Sequence, residues 1–437
     1  MRLNSLNIRN YKSIGNITIM PSDFTVLIGP NASGKSNFAN AISFLIEVYS
    51  YDLETAIRRK GGYENIALRK QKRSRNAVSF DILFKVSQDE FDERQFGSLQ
   101  GLRLRKKSTN SNYYQIRHAF SFKAVRQDIK AEFRIESELI EIDFFSTENK
   151  EEKNKRVVSI SRDSENIIDY SYDKSHKAGP FGDFTLLDHM IGKPAGAKGF
   201  PLNLSSQKLV ASIGFINQLV GIDSFLSRWA VYQFSPNIAR GAGVPTPNPE
   251  LSEAGENLPA LVDWLKNNQP RVWEKIMNVM RVVMPNLLEI NIGYLTNKTL
   301  GLFFQEEGIG RGWTSEEVSD GTVLTLSILC SISDPRKSLI LVEEPENAVH
   351  PWIMRTLIEN FKEISKDKNV IITTHSPILI DMVYPSEIWC ISKREGVTNL
   401  QKLVDIAPNI DEGWRDGAYK ISEYLDSGLI PNVVPQG

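Results

Sequence analysis

The chain has 437 residues, of which 41% are hydrophobic and 24% charged, and its formal net charge is −1. This length exceeds what one hydrophobic core usually supports, so we expect two or more domains. The neutral balance excludes a uniformly basic coat for nucleic acid, and no apolar run approaches the ~20 residues that a membrane-spanning helix needs. Cys330 and Cys390 lie in apolar segments, and without a signal-peptide pattern we expect a cytoplasmic protein with buried, reduced thiols.

A phosphate-binding loop is predicted near the N-terminus. The run from Gly29 to Ser36, Gly-Pro-Asn-Ala-Ser-Gly-Lys-Ser, fills every fixed position of the P-loop pattern. It follows an apolar strand at residues 24–28, and apolar residues then recur at helical spacing from Phe38 to Tyr49. A lone match to the loop can arise by chance in a long chain. With a strand before it and a helix after it, the loop predicts an ATP or GTP site.

Each residue type in this loop suits one part of a nucleotide. Gly29 and Gly34 let the backbone turn tightly and direct its N–H groups at the β-phosphate. Lys35 supplies a charge for the β- and γ-phosphates, and Ser36 offers a hydroxyl to Mg²⁺. The candidate nucleotide-binding residues of the loop are Gly29, Asn31, Gly34, Lys35, Ser36 and Asn37.

A basic cluster follows the P-loop helix. Arginine and lysine dominate residues 58–60 and 69–75, with Glu64 as the only acid among them, and residues 103–107 could extend the cluster. Such a run is usually a solvated loop surface. It is also the best candidate in this chain for contacts with phosphates, so the region Arg58–Arg75 is a candidate DNA contact.

The middle of the chain carries less information. Short runs of alternating apolar and polar residues between about Ala77 and Glu152 predict antiparallel strands. From Phe184 to about Ala230 the apolar residues recur at roughly helical spacing, which predicts helices inserted between the two ends of the chain. We expect these helices to pack on a core, with a role in dimerisation as the alternative.

A capped helix is predicted to begin at Ser319. Ser319 and Asp320 are good N-cap residues, Gly321 follows them, and a strongly apolar stretch runs on to Cys330. Such a helix start directs free N–H groups and the positive end of the helix dipole outwards. Alone, this pattern indicates a capped helix and nothing more.

Two apolar strands further along the chain end in polar residues. The first ends in Glu343-Glu344-Pro-Glu, and a buried strand followed by consecutive carboxylates is typical of a Walker B element. In this interpretation Glu343 holds Mg²⁺ and Glu344 orients or deprotonates the attacking water. The second strand, at residues 370–374, leads directly into His375.

A helix predicted between these two strands makes them a parallel pair, and ligands of parallel sheets lie at the carboxyl ends of the strands. We therefore expect Glu344 and His375 at the same rim as the P-loop. A solvated turn and a structural histidine are the alternatives, and three elements in the right order argue against them. His350, at a helix start, is expected to be structural. The candidate catalytic residues are Glu344, His375 and Lys35, and the candidate metal ligands are Ser36 and Glu343.

One family resemblance is carried by the segments Leu6–Ser13, Gly29–Ser36, Ser319–Thr322, Glu343–Glu346 and Thr373–Pro377. Together they resemble the ATP-binding-cassette (ABC) ATPases of the SMC/RecF/OLD group. Within that group the chain is similar to stand-alone AAA family ATPases of prokaryotic defence systems, such as the ATPase subunits of Septu-like or PARIS-like systems. Further segments that look group-specific are Tyr232–Asn237, Leu251–Leu258 and Leu425–Leu429.

The resemblance implies an α/β fold, namely an ABC-type ATPase head with a P-loop parallel sheet core, a flanking antiparallel sheet and a helical insertion. It implies ATP as the nucleotide and Mg²⁺ as the cofactor. It also implies that Ser319 and Gly321 bind the γ-phosphate of an ATP held by another subunit. The implied domains are an N-terminal ATPase lobe at residues 1–180, a helical insertion with return to the core at 181–300, and a C-terminal ATPase lobe at 301–437.

Two positions depart from the family pattern. Glu343 stands where the superfamily usually has Asp, which leaves the Mg²⁺ geometry open. The signature reads Ser-Asp-Gly-Thr instead of Ser-Gly-Gly-Gln, which leaves the role of Asp320 unassigned. The coupling glutamine of the family is not located by pattern. No nuclease pattern and no zinc-spaced Cys/His set occurs, and the tail after His375 is too short for the Toprim domain of the OLD nucleases.

We therefore expect an ATPase without intrinsic nuclease activity that forms a head-to-tail homodimer or a higher homo-oligomer. The first hypothesis is a switch in antiphage defence that regulates a separately encoded effector, a nuclease or a toxin. The second is a RecF-like DNA-binding ATPase in DNA repair. No membrane partner is expected.

Overall fold

The computed structural model describes residues 2–68, 76–87, 112–125, 132–148, 151–173, 200–201, 205–214, 216–217, 221–347 and 349–427. The chain forms two compact units, each assembled from segments that are far apart in the sequence. Unit 1 comprises residues 1–21, 40–228 and 393–400, and unit 2 comprises residues 22–39, 229–392 and 401–437. The three predicted domain boundaries stay a prediction.

The strands are, in chain order, β1 (Arg2–Tyr11), β2 (Ile14–Ile19), β3 (Phe24–Ile28), β4 (Val78–Ser87), β5 (Tyr113–Ala124), β6 (Phe133–Glu148), β7 (Glu151–Arg162), β8 (Ile167–Tyr172), β9 (Phe200–Pro201), β10 (Trp229–Tyr232), β11 (Leu287–Tyr294), β12 (Leu300–Glu306), β13 (Trp313–Thr314), β14 (Leu339–Glu343), β15 (Asn369–Thr374), β16 (Ile388–Arg394) and β17 (Val397–Lys402).

The α-helices are α1 (Lys35–Ser50), α2 (Leu53–Arg59), α3 (Tyr63–Ile66), α4 (Ile222–Leu226), α5 (Pro236–Ala239), α6 (Leu258–Asn268), α7 (Pro270–Val283), α8 (Asp320–Ser333), α9 (Pro351–Ser365), α10 (Pro377–Ile380), α11 (Leu403–Ile406), α12 (Ile410–Arg415) and α13 (Ile421–Asp426). Short 3₁₀ turns occur at Val210–Ser212 and Pro385–Glu387. Within the described residues, no helix is both long enough and apolar enough to cross a membrane.

Unit 2 is built on a parallel sheet in the order β10-β14-β15-β3-β16. Every residue of β3, β14 and β15 is buried, because helices cover both faces of a sheet of this kind. The register pairs Tyr232 with Val342, Glu343 with Thr373, and Thr374 with Ile28. The ends of β3, β10, β14 and β15 therefore share one edge of the sheet, which we call the carboxyl rim.

Helix α8 in unit 2 is stabilised at both ends. The Ser319 side chain caps its N-terminus by accepting a hydrogen bond from the Thr322 N–H at 3.2 Å. At the other end, the Lys368 ammonium donates to the carbonyls of Ile332 and Asp334 at 3.1 and 2.6 Å. Burial lowers the pKa of Lys368 to about 8. The apolar stretch between these caps is buried along its whole length from Thr322 to Ile332, which makes α8 a central helix of the core.

Unit 1 contains an antiparallel sheet in the order β2-β1-β4-β5-β6-β7-β8-β9, with β17 added in parallel to β2. Burial alternates along β4 and β5, as expected when one face of a sheet is covered. The buried face carries the aromatic rings of Tyr11, Phe80, Phe120 and Phe122, and Phe44 of α1 packs against them. The strands predicted between residues 77 and 152 are confirmed.

One polar network lies inside unit 1. The Tyr49 hydroxyl contacts Nδ1 of His118, and Nε2 of His118 lies 3.1 Å from Oε1 of Glu138. The Glu138 carboxylate accepts the N–H groups of Val210 and Ala211 at 2.7 and 2.9 Å. These bonds compensate for burying a carboxylate, and they fasten the segment that contains residues 210 and 211 to the sheet.

The predicted fold class is confirmed, since the chain is an α/β protein with a parallel sheet behind the P-loop and an antiparallel sheet. Both cysteines are free and buried, as predicted, and burial raises the pKa of Cys390 to about 12. Much of the helical insertion predicted for residues 184–230 lies outside the described residues. The described part includes the turn at Val210–Ser212 and the short helix α4.

Candidate functional site

The P-loop forms a tight turn between β3 and α1 in unit 2. Gly34 has a φ of 118°, and Ala32 has a φ of 62°, a region that residues with a Cβ rarely adopt. A Cβ at Gly29 would overlap the Ile391 carbonyl oxygen, so only glycine fits there. Asn31 is exposed at the tip of the loop, and Asn37 is half-buried in the first turn of α1. The loop therefore has the backbone path that its sequence predicts.

Lys35 is buried at the start of α1, with 6% of its surface exposed. Its ammonium donates hydrogen bonds to the carbonyls of Gly29 and Pro30, at 2.6 and 3.3 Å. Burial lowers the pKa of Lys35, and the charges of Glu344, Glu346 and Glu343 oppose that shift. The charges of three carboxylates at the carboxyl rim therefore act on this ammonium.

Glu343 and Ser36 are in direct contact. The Ser36 hydroxyl hydrogen-bonds the Glu343 carboxylate, and Glu343 is only 7% exposed. The pKa of Glu343 is raised, chiefly by burial and also by the charges of Glu253 and Glu344, while the Ser36 bond and Lys35 lower it. Two adjoining oxygen ligands, one of them a buried carboxylate that a cation would stabilise, fit the partial protein shell that Mg²⁺ takes beside phosphates.

Glu344 has a strained backbone at the end of β14, with a φ of 45°. Its N–H donates to the Thr373 carbonyl at 2.9 Å, and this bond ties the strained residue to β15. The Asn347 amide donates to Oε2 of Glu344 at 3.0 Å, and Nδ1 of His375 lies 3.4 Å from Oε1. The turn therefore directs the Glu344 carboxylate along the rim towards His375.

Glu346 holds the backbone that carries His375. Its Oε1 accepts the Thr374 hydroxyl at 2.6 Å and the His375 N–H at 3.2 Å, and it lies 3.8 Å from Nδ1 of His375. Oε2 of Glu346 is buried and has no hydrogen-bond partner among the described residues. The His375 ring is about half-exposed. His350, in contrast, caps α9 by accepting the Trp352 N–H at 3.3 Å, as expected for a structural histidine.

The turn Ser319–Thr322, which we call the signature turn, opens helix α8. Ser319 is exposed and Gly321 is half-buried, so the first turn of the helix borders solvent. Asp320 is the first helical residue, and its carboxylate accepts a hydrogen bond from the Arg240 guanidinium at 2.5 Å. The sequence left the role of Asp320 unassigned, and the structure supplies this partner.

Two residues of the site were not found by sequence reasoning. Gln233 follows β10 directly at the carboxyl rim, and its N–H donates to the Glu253 carbonyl at 2.8 Å. The charge of Glu253 in turn raises the pKa of Glu343. Strand β10 has only four residues, too few to show a period, and its first two residues fall at the end of the stretch predicted to be helical. The sequence did contain one signal for them, because Gln233 and Glu253 belong to the segments Tyr232–Asn237 and Leu251–Leu258, which look group-specific.

The basic cluster is only partly described. Arg58 and Arg59 end helix α2, and residues 69–75 and 103–107 lie outside the described residues. The Lys60 ammonium lies 2.9 Å from Glu47, and the Arg59 guanidinium donates to the same carboxylate at 3.2 Å. Some of the positive charge predicted to contact DNA is therefore paired within unit 1. The DNA contact stays a prediction.

One protein-family profile matches most of the chain. Residues 24–381 match the profile of the family described as "AAA domain, putative AbiEii toxin, Type IV TA system". Over 59 residues the chain is 46% identical to the structural maintenance of chromosomes protein 1 of Saccharomyces cerevisiae. These 59 residues are 13% of this chain and 5% of that protein. The chain thus spans about a twentieth of the length of that relative.

Similar backbones occur in two solved SMC structures. One is described as the SmcHead bound to the C-winged helix domain of ScpA, with 13% identity, a TM-score of 0.47, and coverage of 92% of this chain and 97% of that chain. The other is the SMC head domain from Thermotoga maritima, with 14% identity, a TM-score of 0.41, and coverage of 92% and 99%.

The strained backbone at Glu344 leads to a first prediction. Replacing Glu344 by glycine and by alanine removes the same carboxylate, and only alanine keeps the penalty of a left-handed conformation. We expect the Gly variant to be more stable than the Ala variant by about 1 kcal/mol, measured as the free energy of unfolding in urea. The same pair of substitutions at Glu359, in the middle of α9, is the control, and there the Ala variant should be the more stable. Equal stabilities at position 344 would contradict the strain.

Proposed function

The chain belongs to this family of AAA-domain proteins, and we propose that it is an ATP-driven switch whose copies close head to tail around ATP. Membership confirms the resemblance to the ABC-type ATPases of the SMC/RecF group that the motifs predict, and ATPase is the activity of that class. The residue roles, the oligomer and the biological setting described below are proposals.

The proposal rests on one observation, the convergence of five side chains at the carboxyl rim of unit 2. Lys35 and Ser36 come from the start of α1, Glu343 and Glu344 from the end of β14, and His375 from the residue after β15. They meet although up to 340 residues separate them along the chain, since Glu344 contacts His375 and Ser36 contacts Glu343. A cation, two acids and a histidine around a P-loop are the groups that phosphoryl transfer to water requires.

Each side chain then has one role. Lys35 binds the β- and γ-phosphates as a point charge, assisted by the N–H groups of the loop. Ser36 and Glu343 would hold Mg²⁺, which neutralises charge on the phosphate oxygens. Glu344 accepts a proton from the attacking water as the water oxygen bonds to the γ-phosphorus and the bond to ADP breaks. His375 lies 3.4 Å from Glu344 and orients it.

The signature turn completes the site of a second copy. Ser319 and Gly321 present a hydroxyl and the N-terminus of α8 to solvent, which suits an anion. In the resembling family these positions bind the γ-phosphate of an ATP held by another subunit. ATP would then be the contact that joins two copies, and hydrolysis would release it.

The biological role we propose is regulation of a separately encoded effector in prokaryotic antiphage defence, most simply a nuclease or a toxin. The family description names a toxin and a type IV TA system, which fits a defence role better than a repair role. A RecF-like DNA-binding ATPase is the second candidate, and the observation that favours it is the basic cluster Arg58–Arg75. The pairing of Arg59 and Lys60 with Glu47 reduces the charge available for such a contact.

Hydrolysis should depend on two separable steps. We expect Lys35→Ala to abolish ATP hydrolysis because binding and transition-state stabilisation are both lost, whereas Glu344→Gln should still bind ATP but not hydrolyse it. Binding of a fluorescent ATP analogue measures the first step, and phosphate release measures the second. The control is Lys366→Ala, which removes one member of the exposed Lys366–Glu363 ion pair. If Glu343→Gln instead gives the ATP-bound, inactive protein and Glu344→Gln turns over, the two acids have been assigned in the wrong order.

A shared site predicts complementation between two inactive variants. Ser319→Arg should block closure of the dimer without harming the fold, and Lys35→Ala damages the P-loop. Mixed in equal amounts, they form a heterodimer with one site damaged twice and one site intact, so part of the hydrolysis should return. The heterodimer is verified by two affinity tags, and no recovery in a verified heterodimer would contradict a site formed in trans.

The effector hypothesis predicts a stable complex. We expect the chain, expressed together with its neighbouring genes, to purify as a homo-oligomer bound to a second protein whose activity depends on the nucleotide state. Native mass measurement with ATP and with ADP gives the composition in both states. Purification of the homo-oligomer alone, together with protection of cells from DNA damage in the absence of any neighbour, would favour the RecF-like alternative.

A further inference from the structure

Arg240 connects the segment that follows β10 with the signature turn. Its guanidinium donates to the Ser315 carbonyl at 2.9 Å, to the Val318 carbonyl at 2.6 Å and to Oδ1 of Asp320 at 2.5 Å. The Arg240 carbonyl accepts the Ser315 hydroxyl at 2.9 Å. Only 9% of the Arg240 side chain is exposed. One planar cation therefore holds three points of the loop that leads into α8, a geometry that arginine can provide and lysine cannot.

The backbone of Arg240 is itself held in place. Arg240 directly follows helix α5 as its C-cap, and its N–H donates to the Pro236 carbonyl at 3.0 Å. Ala239, just before it, is fully buried, and a Cβ at Gly255 would lie 3.1 Å from the Ala239 side chain. This close packing fixes the origin of the guanidinium. The segment that starts with Gln233 at the carboxyl rim therefore fixes the position of the signature turn through Arg240.

Asp320 poses an electrostatic difficulty for the proposed function. A carboxylate in the first turn favours the helix, because it interacts with the positive end of the helix dipole. The same carboxylate, 58% exposed and located between Ser319 and Gly321, repels a phosphate that approaches those two residues. In the resembling family a glycine stands at this position. The signature turn of this chain therefore needs a nearby positive charge to accept an anion.

We propose that Arg240 is a positioning residue that makes the Ser-Asp-Gly-Thr turn competent to bind the γ-phosphate of another copy. It neutralises Asp320, and by binding the carbonyls of Ser315 and Val318 it leaves the start of α8 facing outwards. This inference rests on the proposed head-to-tail ATPase. It adds that Arg240 and Asp320 act as a unit, so that the need for the arginine depends on the aspartate.

A double-mutant cycle tests that dependence. Arg240→Met keeps the apolar stem of the side chain and removes the charge, and Asp320→Gly removes the carboxylate. We expect Arg240→Met to lower ATP turnover at saturating ATP about tenfold, the scale of one charge-assisted hydrogen bond. Binding of a fluorescent ATP analogue to the P-loop should change less than about twofold, because Arg240 has no contact with the P-loop among the described bonds. In the Asp320→Gly background, the same Arg240→Met change should cost less than about threefold.

Arg311→Met is the matched control. Arg311 pairs with Glu317 on the same loop but is 70% exposed, and its loss should leave turnover unchanged. Arg240→Lys keeps the charge without the planar fork and should fall between the wild type and Arg240→Met. Thermal unfolding verifies that each variant folds. If Arg240→Met does not fold, the double-mutant cycle is measured with Arg240→Lys in the wild-type and Asp320→Gly backgrounds. An equal loss of turnover in the wild-type and Asp320→Gly backgrounds would overturn the inference and leave Arg240 a support for the loop carbonyls.

Two further variants in the same assay separate this inference from the proposed function. If Lys35→Ala or Ser319→Arg hydrolyses ATP like the wild type, the head-to-tail site itself is wrong, and with it the inference. If both are inactive while Arg240→Met turns over normally, the proposed function stands and only the role of Arg240 fails.

Discussion

The burial of Lys35, balanced by the charges of three carboxylates, is the constraint on which the rest of unit 2 depends. Burial lowers the pKa of Lys35 and raises that of Glu343, so each group has lost water and relies on charges placed around it. The parallel order β14-β15-β3 provides those charges by setting the ends of three strands side by side. In the proposed function, phosphate oxygens and Mg²⁺ are the charges that complete the balance. A site of this kind gains more from its ligand than a solvated one, because less water has to be displaced.

The backbone at the site also carries unfavourable features. Glu344 and Ala32 occupy left-handed conformations, and Gly29 has no room for a Cβ beside Ile391. Each of these costs stability and is kept only because the surrounding strands and helices determine the conformation. Similar positive φ values occur in unit 2 at Asn257 and Lys298, so strained backbone is a feature of the site but is not confined to it.

Short sequence patterns predicted the position of those candidate residues that stand in one segment each. The P-loop, the acids after β14 and the histidine after β15 each combine a strand with the residues that follow it, and the structure brings them to one rim as predicted. The sequence did not predict the contacts that Arg240 and Gln233 make with distant segments. Arg240 lies 75 to 80 residues before the residues it binds, and no spacing rule connects them. Gln233 was missed because β10 is too short to show a period. The interleaving of segments in the two units leaves no local signal in the sequence.

The two departures from the family pattern acquire a physical meaning in unit 2. Glu343 replaces the usual aspartate with a side chain one methylene longer, and its carboxylate reaches the Ser36 hydroxyl. Asp320 replaces a glycine with a charge, and the Arg240 guanidinium lies against it. In both cases the unusual acid has a specific partner, so the effect of the acid depends on that partner as well as on its place in the motif. Replacing one of these acids by the residue usual in the family would remove or alter the contact that its partner makes. The site is therefore defined by pairs of residues, and a motif names only one member of each pair.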